Sequence, residues 1–356
     1  MRTHELAIGY TSAHRRAPRP VQGVARVARA RASRHVLPSG GAPVTLTPDQ
    51  LRQAARALAV QAIDTATAEV VARFESLGIE VMLVKGPVIA KLLYPHEVRE
   101  YVDGDLLVSS SQWEDAVATL LGLGYEDFLG PLAHPRMESL AGTGFAHGSH
   151  NIDLHATLPG LQAAPPEVWR RLWSSREEQL VGGRVVHVPN RAAVLMHVAL
   201  HASHHVEGKP LQDLGRAVPV ATDAEWRAAA DLARDLDGLA AFATGLRQLP
   251  EAAAVAERLG LATVGSVEFD LRESQVPLAE GLNAFLAAPL SLKPRLLARE
   301  LFPNAAFMRW YTPIAQRGAV GLLASYPVRW LRLARGLPRA AWTLLRMRRR
   351  RAGDSA

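Results

Sequence analysis

At 356 residues, 48% of them hydrophobic, the chain is long enough to bury two domain cores. With no cysteine, it excludes a disulfide framework, thiolate metal ligation and a thiol nucleophile. The net charge of +7 sits at the ends, where residues 1–41 hold eight arginines against Glu5 and residues 318–356 hold nine against Asp354, leaving residues 42–317 at −8. A grip on long nucleic acid needs its basic residues on the folded body, so that substrate class is disfavoured. No run reaches about 18 uninterrupted apolar residues, and the N-terminus lacks the apolar stretch of a secretory signal. The expected location is a reducing cytoplasm.

Taken in order, residues 1–41 show no sustained apolar period and are expected to be a disordered basic segment or sequence ahead of the true start. The first helix begins at "TLTPDQLRQAARALAVQAIDTATAEVVARFESLG", with Thr47 as N-cap, Pro48 at the first helical position and Gly78 at the C-terminal end. "IEVMLVKG" follows as a short buried strand, "PVIAKLLY" as a helix opened by proline, and "DGDLLV" as a second strand. "SQWEDAVATLLGLG" carries a capping box in Ser111 and Glu114. "YEDFL" is a further strand, and "NIDLHATL" closes a small α/β domain over residues 42–158. Residues 159–317 turn helical, with one strand at "GRVVHV", and residues 318–356 form a basic segment. The expected fold class is α+β: a small palm-type α/β domain followed by a mainly α-helical one.

Chemistry concentrates at the strand ends. Asp103 and Asp105 alternate along one strand and so share a face; Asp153 and His155 do the same on another. Like charges that close resist joint ionisation unless a cation lies between them. If the two strands are neighbours, three carboxylates converge at one sheet end. Hard oxygen ligands suit Mg²⁺, as two ions, with Mn²⁺ as the alternative. Glu138 is the reserve third ligand. Lys85 would add a point charge to a triphosphate, and Gly86 would let backbone N–H groups approach phosphate. The competing reading is a surface turn with two solvated aspartates.

The run "VMLVKGPVIAKLLYPHEVREYVDGDLLVSSSQWEDAVATLLGLGY", with "IDLH" and "LHASHH…LQDLGRA" after it, resembles a bacterial family of uncharacterised nucleotidyltransferases. These are distant relatives of the polymerase-beta-like superfamily, and the resemblance covers roughly residues 48–220. It implies that Asp103, Asp105 and Asp153 bind the metals. The superfamily's Gly-Ser is replaced by Lys85-Gly86, so phosphate binding by a serine hydroxyl does not transfer. The implied context is peptide natural-product or cell-surface biosynthesis.

Three features stand outside that core. Arg99 either reaches the triphosphate or pairs with Asp103 or Glu100. His197, His201, His204 and His205 in "HVALHASHH" either hold a metal, as in a metallohydrolase, or hydrogen-bond Asp213 and line the interface beside the nucleotide site. The C-terminal "VRWLRLARGLPRAAWTLLRMRRRR" sets Arg332, Arg335, Arg339, Arg346 and Arg350 against Trp330, Leu333, Leu337, Leu344 and Leu345, with Gly336 and Pro338 interrupting. It is either an interfacial helix for an anionic membrane or a helix docked on the body. The expected activity is transfer of a nucleoside monophosphate from an NTP, ATP included, to a small-molecule, peptide or protein acceptor. The alternatives are the metallohydrolase and a non-catalytic nucleotide- or membrane-binding protein of the same fold.

Overall fold

The computed structural model describes residues 47–127, 142–205, 207–261, 276–287, 290 and 293–354. The basic segment 1–41 and Glu138 lie outside the described residues, as does the end of the expected "YEDFL" strand. Helix α1 (Pro48–Ser76) starts on a complete capping box: the Gln50 N–H donates to the Thr47 hydroxyl and the Gln50 side chain accepts from the Thr47 N–H. Only its C-terminal half is buried, through Thr67, Ala68, Val70, Val71 and Phe74.

That half packs on a five-stranded mixed sheet of order β1-β2-β5-β4-β3, made of β1 (Val81–Leu83), β2 (Asp103–Val108), β3 (Glu126–Asp127), β4 (Thr143–His147) and β5 (His150–His155). β2 and β5 run parallel and every other pair antiparallel, and Asp105 stands opposite Asp153 in the β2–β5 register. The expected neighbourhood of the two acidic strands is therefore present. Helix α2 (Pro87–Leu93) follows β1, and α3 (Trp113–Gly122) follows β2.

The capping box expected from Ser111 and Glu114 does not form. Ser111 lies in a 3-10 turn, Ser110–Gln112, its hydroxyl paired with that of Ser109, and α3 starts one residue later than expected, with Gln112 as N-cap. The Gln112 side chain is engaged elsewhere: it accepts from the Glu80 N–H and donates to the Gly78 carbonyl, pinning the α1–β1 loop.

Helix α4 (Pro165–Trp173) leads to a hairpin of β6 (Glu177–Val181) and β7 (Arg184–Val188), where the sequence reading expected one strand. Its turn is Gly182-Gly183, both at positive φ, and a side chain on Gly182 would run into the Asp64 backbone of α1. Helices α5 (Arg191–Ser203), α6 (Lys209–Val220), α7 (Asp223–Asp235), α8 (Leu239–Leu246) and α9 (Pro250–Arg258) follow. One hydrophobic core runs through both halves, from Phe74, Leu106 and Ile152 to Leu195, Trp226 and Phe242. The remaining helices, α10 (Pro277–Ala287), α11 (Lys293–Leu301), α12 (Ala305–Tyr311) and α13 (Gly318–Asp354), carry two smaller clusters of their own.

Why glycine separates the two aspartates is settled by α1. Strand alternation turns residue 104 to the face opposite the carboxylates, and there a Cβ would sit 2.3 Å from the Thr67 hydroxyl oxygen. Gly104→Ala is expected to cost about 1–3 kcal/mol through overpacking, read as a lower urea midpoint. Adding Thr67→Ala should recover much of it, since the hydroxyl and methyl are the two nearest obstacles.

Candidate active site

The site forms where β1 ends and β2 begins, beside the C-terminal half of β5. Lys85, one residue beyond Val84 at the close of β1, places its ammonium 2.5 Å from Asp105 Oδ1. His155 Nε2 lies 3.3 Å from the same oxygen. Asp105, Asp153 and His155 each offer a ligand atom, and these atoms all lie within 4.8 Å of one another. Asp103 shares the β2 face but stands outside this tight group. Asp105 and His155 are buried, while Asp153 and Lys85 are partly open to solvent.

The electrostatics follow from that packing. Burial alone would raise the Asp105 pKa, but the Lys85 ammonium and His155 outweigh it and hold the carboxyl well below the usual range. Burial would likewise lower the Lys85 pKa, yet Asp105, Asp153 and Asp103 together raise it. A carboxylate and an ammonium are thus each kept charged by the other. Gly142, at φ +151, brings the backbone against the His155 ring, where a Cβ would meet Cε1 at 2.9 Å. Gly86, at φ +55, is the N-cap of α2 and lies under the Tyr101 ring.

Arg99 does not pair with Asp103 or Glu100. Its Nε and Nη2 donate to the two oxygens of Asp213 at 3.0 and 2.6 Å, and Tyr94 Oη donates to Asp213 at 2.7 Å. Pair and partner are buried, so each charge depends on the other. This also corrects the expectation for the histidines: Asp213 is taken by Arg99 and Tyr94. The rings of His197, His201 and His205 instead follow one another along α5 and just past its end, with centroids 6.2 and 4.8 Å apart, while His204 points toward Gly160. Among the described residues the group able to hold a metal is Asp105, Asp153 and His155, and no histidine of α5 belongs to it. The metallohydrolase reading has no ligand set there.

Two residues went unread in the sequence. Asp64 on α1 accepts from Tyr101 Oη at 2.7 Å, and burial raises its pKa. Lys209, the first residue of α6, lies one helical turn before Asp213 on the same face. Burial and the nearby Arg99 lower its pKa, while Asp213, Glu100 and Asp103 act the other way. The "GKP" at a helix start was the available signal.

The model of a family described as uncharacterised nucleotidyltransferase matches residues 22–253, more than half of the chain. No curated protein matches. Among solved structures, the antibiotic-resistance factor ANT(2'')-Ia in solution is 16% identical, covering 49% of this chain and 94% of that one, at a TM-score of 0.37. The lincomycin-bound lincosamide antibiotic adenylyltransferase LnuA is 16% identical over 42% and 91%, at 0.31. A nucleotidyltransferase-like protein from Paracoccidioides brasiliensis is 13% identical over 57% and 94%, at 0.34. At such distances the likeness bears on neither substrate nor acceptor.

The histidine row makes a pH prediction. Burial, with Lys85 adding to it, pushes His197 down to about 3 from an ordinary 6.5. Between those values the unfolded chain binds a proton that the folded one refuses, so this stability is present above pH 6.5 and is lost as pH falls toward 3. Urea midpoints measured between pH 7 and 5 should therefore fall in the wild type, and less steeply in His197→Gln.

Proposed function

The chain belongs to the uncharacterised nucleotidyltransferase family, and on that premise we propose that it transfers a nucleoside monophosphate from an NTP, ATP first among them, to an acceptor hydroxyl. The acceptor oxygen bonds to the α-phosphorus, the bond to the β-phosphate breaks, and pyrophosphate leaves. The observation that carries the reading is the β2–β5 register, which faces Asp105 with Asp153 beside a lysine ammonium.

The donor set fits a hard divalent cation. Two carboxylates and an imidazole converge within 4.8 Å, and the position already attracts positive charge, since the Lys85 ammonium lies on Asp105. Asp105 and Asp153 would hold Mg²⁺ or Mn²⁺, with Asp103 reaching from the same strand face. Bound there, one ion or two would neutralise the triphosphate oxygens and the leaving pyrophosphate. Lys85 is close enough to trade Asp105 for a phosphate oxygen, while Gly86 beside it packs under the Tyr101 ring. His155 holds Asp105 in place from the sheet side. Arg99, committed to Asp213, serves the nucleotide by fixing α6 against the start of β2. Lys209 thereby faces the site as a second ammonium for the triphosphate. The acceptor is a small molecule, peptide or protein; the acidic body disfavours long nucleic acid.

Incubation of the protein with α-radiolabelled NTPs and cell extract should release pyrophosphate and label one class of molecule. Asp105→Asn and Asp153→Asn are expected to lower kcat by on the order of 10²–10³-fold and to abolish Mn²⁺ binding followed by electron paramagnetic resonance. His155→Gln should be milder in both. Near-wild-type Mn²⁺ binding in both Asn variants would remove the metal site from these residues. Lys209→Gln should raise KM for the NTP roughly tenfold with kcat nearly unchanged, the mark of a contact made equally in ground and transition states.

A further inference from the structure

Helix α13 has three sides rather than two. Its 37 residues extend about 55 Å, and it runs unbroken through Pro327 and Pro338. One side docks on the rest of the C-terminal helices. Ser325, Arg329, Ala340, Thr343 and Leu344 are buried there, and Arg329 donates from Nε to the Glu300 carbonyl and from Nη2 to its carboxylate. Gly336, expected from the sequence to interrupt the helix, is a contact point: a Cβ there would lie 3.0 Å from Leu278 of α10.

A second side is apolar and bare. Val320 is 80% exposed, Leu323 70%, Leu331 51%, Trp342 60% and Leu345 56%, and Trp330 is exposed beside them. At 3.6 residues per turn these fall in one stripe. The Trp330 indole is pinned by its N–H to the Leu301 carbonyl at 2.7 Å and meets Phe302, itself 52% exposed, edge-on at 5.4 Å. The stripe thus continues onto the end of α11. The third side, along one edge of the stripe, carries the exposed Arg332, Arg335, Arg339 and Arg346. The Arg350 side chain lies outside the described residues. The sequence expectation of a single apolar face is corrected accordingly: Leu344 belongs to the docked side, and the open stripe is rotated away from it.

We propose that α13 is an interfacial helix that lays this stripe on an anionic lipid surface, the arginines pairing with headgroups along its edge. Exposed tryptophans and leucines beside arginines are what a surface helix presents to the boundary between acyl chains and headgroups. No helix among the described residues is long and apolar enough to cross a membrane, so the contact is one of lying on the surface. Charge selects this occupant over two others. Residues 1–41 carry eight arginines and one acidic residue, a like charge that makes them a poor match for the arginine edge. A second copy would bring its own arginine edge against the first. An anionic bilayer is the surface that satisfies both edge and stripe, and the acidic body keeps the rest of the molecule off it.

The test uses the full chain with vesicles of phosphatidylcholine, with and without phosphatidylglycerol. Wild type should co-sediment with the anionic vesicles and not with the neutral ones, and brominated lipid should quench its tryptophan fluorescence. Arg335→Gln with Arg346→Gln should weaken binding roughly thirtyfold. Leu323→Ser with Leu331→Ser and Trp342→Ser should lose binding and most of the quenching. Both variants should keep the wild-type melting temperature, because every altered side chain is exposed. Absence of wild-type binding, equal binding to neutral vesicles, or unchanged binding by the triple-serine variant would each overturn the proposal. So would a lower melting temperature in that variant, which would place another part of the chain on the stripe. A wild-type dimer that the variant dissolves would put a second copy there instead.

Discussion

Two carboxylates face each other across a parallel strand pair, and most of what surrounds them answers the repulsion between them. Adjacent strands lie about 4.8 Å apart, so the register that sets Asp105 against Asp153 fixes two negative charges at nearly that separation. Such a pair inside a protein needs positive charge or loses ionisation. Lys85 supplies the charge from the neighbouring strand end, and His155 contacts the same oxygen from two residues beyond Asp153. The opposite face of β2 is just as constrained, because α1 presses so closely on Gly104 that any side chain there would collide with Thr67. The acidic face and the crowded face are two sides of one strand.

Local signals carried well from sequence to structure. The Thr47 N-cap, the strand over "DGDLLV" and the strand over "NIDLH" lie where short-range chemistry put them. Their determinants sit within a few residues: a threonine just before a proline, or apolar alternation bounded by turns. The hairpin's first strand was missed because "EEQLV" alternates weakly, although the Gly182-Gly183 pair beside it is a strong two-residue turn signal. What no window of sequence contained was the partner of Arg99. Asp213 lies 114 positions away and meets it only after the helical half has packed on the sheet. The candidate site was legible as far as strand alternation reached, and illegible where it depended on α6.

The C-terminal helices show the same limit differently. Helical periodicity separated arginines from leucines on α13, but periodicity alone assigns two faces. Contact with α10, α11 and the turn at Pro313–Gln316 creates a third, and which apolar residues remain open depends on where that contact falls. Gly336 illustrates the ambiguity, since a glycine in a helix serves equally as a weak point or as room for a neighbour.

The core that passes without a break from the sheet into α5–α9 has a consequence for access. Enzymes that close on their substrates by swinging one lobe against another keep a thin, polar seam between the lobes. Here the seam is filled by Leu195, Leu200 and Leu214 and bolted by a buried ion pair, so parting the halves would expose apolar surface and orphan two charges. Separating the walls of the site would therefore be costly. Selectivity in such a frame would come from fit to a shape already present rather than from the energy of closing a door.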